Sequence, residues 1–535
     1  MDAAWCADAR RAMWGLAAEP GLCEIRQTAR RVAGELAASE ADRPAVLSAL
    51  TRSGLIAMID RAQSTALSLG LAAAELAVAD GGVATCLLSA FLAHSVVRDF
   101  GTPEQQARYL DRGRYPHAAL CLTEPPPGAG VDSLTLTGRA RLADAPPGAA
   151  PVLDVEKRGR FISHMEFAGF VLLAVDSGDR RLAGGCVVVA EPGDEGLFDC
   201  GLPVRVLGHR LSSVTSPEFR LRVPASRILG GYTVEDGLLA PRIGYRQALD
   251  PALRRCRPVV ALMTAGKLLA TVDAVSAEGL PDLAAALRLV DAWADAEAAA
   301  SLGIEAARLS DQLDAEASVA GAAARLFATA HAAQHLARYT ATPKVLGWLM
   351  DVQVEAVYLG AESLQRRQLA ASLAAPDFHS RIARWSEDAG PPGTLGNGMA
   401  LLGWTVEFLR RARLLTDVSQ GVAFPLADAL CRLLAARALA ADVRSLRAAG
   451  ARTLGFFQDL SVAESAAAAS AAAQICAAAV FGYAGLDGPA EEDLRSFSSL
   501  RRAVDSSLAG VHLARMRAAA FLLARSIDNR NACVT

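Results

Sequence analysis

Lysine is almost missing from this chain: Lys157, Lys267 and Lys344 stand alone among 535 residues, and arginine carries the rest of the 54 basic side chains. Set against 57 acidic residues, these leave a formal charge of -3, so no global field draws the chain to nucleic acid or an anionic membrane. The ten cysteines never fall in a CxxC spacing, which excludes zinc ribbons and thioredoxin-like sites and fits a reduced, cytoplasmic protein. No GxSxG elbow, P-loop or strand-linked GxGxxG occurs, so hydrolase and NTPase chemistry have no support. The start, MDAAWCADARRAMW, lacks the basic head and apolar core of a secretory signal. The most apolar long stretch, Ser465 to Leu486, is made of Ala, which contributes too little transfer energy for a membrane span. It reads as a tightly packed helix.

What is present is mostly helical period. From Gly21 to Gly113, apolar residues recur at three- and four-residue spacing, as in LIAMIDRAQSTALSLGLAAAELAVA, and GTPE (101–104) breaks the pattern. Thr102 and Pro103 there have the chemistry of an N-cap and a first-turn proline. Between Ala118 and Thr233, Pro and Gly cluster around short β-type runs, GFVLLAV and GGCVVVA, and FRLRV (219–223) alternates as a half-exposed strand does. After Pro251 the helical period returns, broken most clearly at PPGTLGN (391–397). The expected fold is α+β, mainly α. It comprises an N-terminal helical domain (1–117), a middle antiparallel β domain (118–233), a C-terminal helical bundle (234–400) and a further helical extension (401–535).

Four runs in this order carry a resemblance. GTPEQQARYL (101–110) precedes the β region, CLTEPPPGAGVD (121–132) opens it, RGRFISHMEFAGFVLLA (158–174) follows, and LGHRLSSVTSPEFRLRVPASRILGG (207–231) leads out of it. They resemble the acyl-CoA dehydrogenases, whose flavin-binding run is TEPGAGSD and whose second flavin strand reads K-x-W/F-I-T/S-N. The resemblance implies FAD, held by Leu122, Thr123, Gly128, Ala129, Phe161 and Ser163, with Val131 beside the substrate. Gly128 and Gly130 let backbone N–H groups approach a ligand closely, Thr123 and Ser163 offer hydroxyls to a flavin edge, and Phe161 offers a flat face. The implied substrate is an acyl thioester, on CoA or an acyl carrier protein, and the implied assembly a homodimer or homotetramer.

The chain also departs from that pattern. In the family a bundle glutamate removes the acyl α-proton, in an E-G-T/D-x-N run. The nearest match, GPPGTLGN (390–397), puts Pro392 or Leu395 in its place, and SSLAGVHLARM (506–516) offers Ala509. Where other members carry the base on the first long C-terminal helix, this chain has Cys256. The diphosphate-gripping R-x-x-F-G segment is missing, and the Gln-x-x-Gly-Gly loop reduces to QVEAVYLGAES (353–363). Glu355, Glu362 and Glu387 are the carboxylates left to serve as base, and Glu387 lies nearest the expected position. The reading is therefore a flavoprotein working by α,β-desaturation or a derived reaction. The alternatives are a flavin-dependent oxygenase, a flavin-free elimination or cyclisation catalyst, and a non-catalytic subunit.

HAAQH (331–335) spaces two histidines one helical turn apart, but it has neither a catalytic Glu nor an evident third ligand in the sequence, so no metal is expected. Basic and acidic residues are interspersed along 401–535, which offers no ground for nucleic-acid binding.

Overall fold

The computed structural model describes residues 4–534 apart from 17–18, 39–42, 63–64, 127–134, 145, 147, 206–212, 389–392, 416–419, 449–452 and 484–488. Helices come first: α1 (Ala4–Met13), α2 (Pro20–Ala38), α3 (Arg43–Arg52), α4 (Leu55–Arg61), α5 (Thr65–Ala79), α6 (Gly81–Phe100) and α7 (Pro103–Tyr109). Thr102 does cap α7: its hydroxyl accepts from Gln105 N while the Gln105 side chain accepts from Thr102 N, with Pro103 in the first turn. α1 behaves differently from its neighbours. Its Ala9 and Met13 join the core of the C-terminal bundle, and Arg10 Nε donates to Glu297 at 2.8 Å.

The strands are β1 (Ala118–Cys121), β2 (Arg139–Leu142), β3 (Val152–Arg158), β4 (Ile162–Ser163), β5 (Phe170–Ser177), β6 (Cys186–Ala190), β7 (Glu195–Asp199), β8 (Val204–Arg205), β9 (Ser213–Thr215), β10 (Glu218–Pro224), β11 (Tyr232–Glu235) and β12 (Leu238–Pro241). The main sheet runs β1-β5-β2-β3-β10-β7, with β6 also on β5, while β4-β9-β8 and β11-β12 form separate small sheets. It is mixed, where a purely antiparallel domain was expected. β5 runs parallel to both β1 and β2. Its sequence shows why: Phe170 to Val175 is buried throughout, the continuous apolar run of a strand covered on both faces. β10 keeps the expected alternation, with Phe219, Leu221 and Val223 buried and Arg220 and Arg222 exposed. Strands continue to Pro241, beyond the boundary expected at 233.

The remaining helices are α8 (Tyr245–Glu278), α9 (Leu283–Asp311), α10 (Ala317–Leu336), α11 (Pro343–Glu355), α12 (Glu362–Ala374), α13 (Phe378–Asp388), α14 (Thr394–Arg411), α15 (Gln420–Ala448), α16 (Leu454–Tyr483), α17 (Glu491–Ser507) and α18 (Val511–Val534). α14 straddles residue 400, and α8, α9, α10, α14, α15 and α16 contribute to one apolar core. The bundle and its extension thus share their interior. Three helices, Gly81–Phe100, Tyr245–Glu278 and Leu454–Gly482, are long and apolar enough to cross a membrane. In this fold they pack against other helices, and small residues let α16 approach closely: a Cβ on Gly398 of α14 would stand 3.1 Å from Ala469 Cβ.

One buried ion pair closes the β domain at the end of β1. Glu124 accepts from Lys157 Nζ at 2.5 Å, from Thr137 Oγ1 at 2.7 Å and from Gly138 N at 2.8 Å, and Lys157 Nζ also donates to Leu122 O at 3.2 Å. Burial alone would raise the Glu124 carboxyl. Lys157 and the backbone N–H groups reverse that and hold it at about 2, against an ordinary 4.5. A carboxyl lowered in the folded state adds stability above its unfolded pKa, and that stability is lost as pH falls from about 4.5 towards 2. Glu124→Gln leaves Lys157 charged in an apolar interior, so denaturant unfolding is expected to show a loss of about 3–5 kcal/mol. Adding Lys157→Met is expected to return much of it, and strictly additive losses would contradict the pairing.

Candidate functional site

The two runs expected to hold a flavin meet in the structure. Arg160 N donates to Thr123 O at 3.0 Å, which ties the end of β1 to the approach to β4. Gly159 permits this closeness, since a Cβ there would stand 2.7 Å from Cys121 Sγ and 2.8 Å from Pro217 Cγ. Ser163 pairs with Val214 on β9, and Ile162 with Thr215. The segment between is strained: Phe161 and His164 hold φ of 57° and 60°, a left-handed conformation that non-glycine residues rarely adopt. Phe161 is 54% exposed, with the Arg160 guanidinium 4.5 Å from its ring centroid. A large aromatic face turned outward on strained backbone is the arrangement of a ligand contact more than of a core residue.

Leu122 and Thr123 are half-buried beside it. Leu122, Thr123, Phe161 and Ser163 are therefore brought to one end of the β domain, two of them with hydroxyls and one with an exposed aromatic ring. These are donors and surfaces of the kind a flavin ring requires. Gly128, Ala129 and Val131 lie outside the described residues.

One corner of the bundle, between α11 and α12, shares a large apolar cluster with this end of the β domain. Tyr358 and Leu359 pack against the same apolar cluster as Leu120 and Leu122, built from α5, α6, α8 and β5. Leu359 has φ 58° and Gly360 φ 105°, and a Cβ on Gly360 would stand 2.8 Å from Leu364 Cδ2. Arg325 on α10 fastens the corner, donating to Gly360 O and Ala356 O at 2.6 Å each. It also donates to Glu355 O at 3.3 Å, so the final carbonyls of α11 are not left unsatisfied.

The nominated carboxylates are accounted for. Glu355 is fully buried, ion-paired with Lys267 and accepting from Thr264 Oγ1 at 2.7 Å, while Lys267 also reaches Asp351 at 3.2 Å. Burial would lower the Lys267 ammonium, but the charges of Glu355 and Asp351 outweigh it and raise it. Glu362 pairs with Arg366 at 2.9 Å. Glu387 is exposed near the end of α13, whose main packing partners are α14 and α15 and not the strands. Cys256 is buried within α8, and burial pushes its thiol up to about 12, far from a thiolate at neutral pH.

Sequence reasoning missed the partners. Lys267 and Lys157 are two of only three lysines in the chain, and both are fully buried against carboxylates. That scarcity was the available signal, because a lysine ammonium is a compact point charge that fits a tight carboxylate site. The histidines of HAAQH also prove to have a third neighbour, Asp295, contributed by α9.

No protein-family model matches the sequence, and no curated relative does. Solved structures do match. An acyl-CoA dehydrogenase from Bacillus anthracis, complexed with FAD, superposes with a TM-score of 0.73 at 15% identity, over 94% of this chain and 95% of its own. A glutaryl-CoA dehydrogenase from Mycobacterium smegmatis, in complex with FADH2, gives 0.53 at 18% identity over 64% of this chain and 92% of its own. Butyryl-CoA dehydrogenase from Megasphaera elsdenii gives 0.50 at 21% identity over 64% and 96%. The chain has the acyl-CoA dehydrogenase fold, and the Bacillus structure shows that the likeness extends through the C-terminal helices.

Lys267→Met would leave Glu355 and Asp351 buried without a counter-charge, and it is expected to cost about 3–5 kcal/mol in chemical unfolding. A loss below about 1 kcal/mol, the worth of an exposed pair, would show that the ion pair does not hold α11 to α8.

Proposed function

We propose that this chain is a flavoprotein of acyl-CoA dehydrogenase type, acting on an acyl thioester carried by CoA or a carrier protein, in the cytoplasm as a homodimer or homotetramer. The observation that carries the reading is the meeting of Thr123, Phe161 and Ser163 at one strained end of the β domain, on a scaffold whose solved counterparts include FAD complexes. In this reading Leu122, Thr123, Gly128, Ala129, Phe161 and Ser163 would hold the flavin, with hydroxyls from Thr123 and Ser163 and an aromatic ring from Phe161, and Val131 would stand on the substrate side. Bound FAD supplies a two-electron acceptor.

The reaction is a second question, and one observation bears on it. α,β-Desaturation needs a carboxylate to take the α-proton. The corner Tyr358-Leu359-Gly360-Ala361 also matches the E-G-T pattern at its glycine, it packs on the apolar cluster that receives Leu122, and it puts Leu359 where the Glu would be. Glu355 and Glu362, on either side, are committed to Lys267 and Arg366. A leucine at that position favours a derived reaction that removes no α-proton, such as an oxygenation, over desaturation.

Purified protein is expected to take up one FAD per chain, followed by the visible flavin band and by quenching of flavin fluorescence. Phe161→Ala and Ser163→Ala are each expected to weaken uptake about 10-fold, the equivalent of about 1.4 kcal/mol. Absence of uptake by the unmodified protein would contradict the flavin assignment. Leu359→Glu is expected to introduce acyl-CoA-dependent bleaching of bound flavin. If that variant behaves as the parent does, the corner is not where a base would act.

A further inference from the structure

α9, α10 and α16 converge on a buried group of four side chains that the flavin site does not use. His331 Nδ1 and His335 Nε2, one turn apart on α10, both lie 2.6 Å from Asp295 Oδ2 on α9. Glu464 on α16 hydrogen-bonds Asp295 from the third side. His331, His335 and Glu464 are 5%, 3% and 3% exposed. Phe327 stacks on His331 with ring centroids 4.1 Å apart and holds its plane. The ligand atoms of Asp295, His331 and His335 lie within 4.8 Å of one another.

We propose that Asp295, His331 and His335, already clustered, bind a divalent transition ion of the Zn2+ class, and that Glu464 turns in from α16 as the fourth ligand, which ties the α9–α10 pair to α16. The chemistry of the donors supports this. Two imidazoles and two carboxylates match the N/O set that Zn2+ takes in tetrahedral sites, and histidines at i and i+4 present both rings to one ion. Charge supports it as well: two neutral imidazoles, two carboxylates and a divalent cation sum to zero, so the assembled group can be buried at much lower cost than unpaired carboxylates.

Asp295, His331 and His335 need little adjustment, while Glu464, which reaches Asp295 and lies outside that cluster, must turn toward the ion. Tetrahedral bonds of about 2.0–2.1 Å set ligand atoms about 3.3 Å apart, so the 2.6 Å contacts to Asp295 must open by less than an ångström. Arg338 stands 3.5 Å from the second ring nitrogen of His335, at the outer limit of a hydrogen bond, and does not fix that ring's tautomer. All four positions are filled by the protein and HAAQH holds no glutamate, so the role is structural.

The test uses untagged full-length protein, stripped with a chelator and titrated with Zn2+, Mn2+ and Co2+ against a chromophoric competitor. One Zn2+ per chain is expected, with a higher melting temperature. Co2+ is expected to show the intense visible bands of tetrahedral coordination. His331→Gln and His335→Gln are each expected to bind Zn2+ about 10- to 100-fold more weakly, with circular dichroism reporting their helicity. Failure of the unmodified protein to bind Zn2+, weak octahedral Co2+ bands, or a folded His331→Gln variant that binds as the parent does would each overturn the proposal. The Co2+ spectrum needs no variant, so it decides the matter even where a substitution prevents folding.

Discussion

The burial of Lys267 sets the conditions for the rest of the candidate site. An ammonium removed from water is tolerable only where carboxylates surround it, and Asp351 and Glu355 do so from the last turns of α11. This fixes α11 on α8. With α11 in place and Arg325 satisfying its final carbonyls, the chain must turn within Val357 to Ala361, and it does so through left-handed Leu359 and Gly360. Tyr358 and Leu359 are carried to the apolar cluster that also receives Leu122. The ion pair that shapes the corner also removes Glu355 from chemistry, since its oxygens are taken by Lys267 and Thr264.

The β domain meets the same problem with the same residue types. Lys157 and Glu124 lie in an interior that excludes water, and their pairing holds the end of β1 where Thr123 can receive the Arg160 N–H. The glutamate of the TEP run is thereby structural in this chain. Phe161 and His164 are strained in consequence, because Ile162 and Ser163 must pair with β9 within a two-residue strand. Rigid supports beneath a strained, outward-facing aromatic are what a preorganised ligand contact requires.

The layout of helices around a β domain was legible from period and punctuation. Thr102 and Pro103 announced α7, and FRLRV announced a half-exposed strand, because both depend on local chemistry. The pairing of β5 with β1 and β2 was not legible, since parallel neighbours are chosen by the path of the whole sheet. The same holds for the division at 400, where α14 runs across the expected boundary because its apolar face packs on α15 and α16. The two short runs that supplied Leu122, Thr123, Phe161 and Ser163 do meet, through the Arg160 N–H on Thr123 O. The roles of Glu355 and of the HAAQH histidines were not legible, because Lys267 and Asp295 are far from them in sequence.

Leu359 stands where the proposed acyl thioester site would need a base. The most direct measurement is exchange of the acyl α-hydrogens. FAD-supplemented protein is incubated anaerobically with acyl-CoA in D2O, and the thioester is read by mass spectrometry. The account predicts that the acyl-CoA binds and that its α-position gains no deuterium beyond the protein-free control. Protein-dependent α-deuteration, or a 2,3-enoyl product, would contradict it.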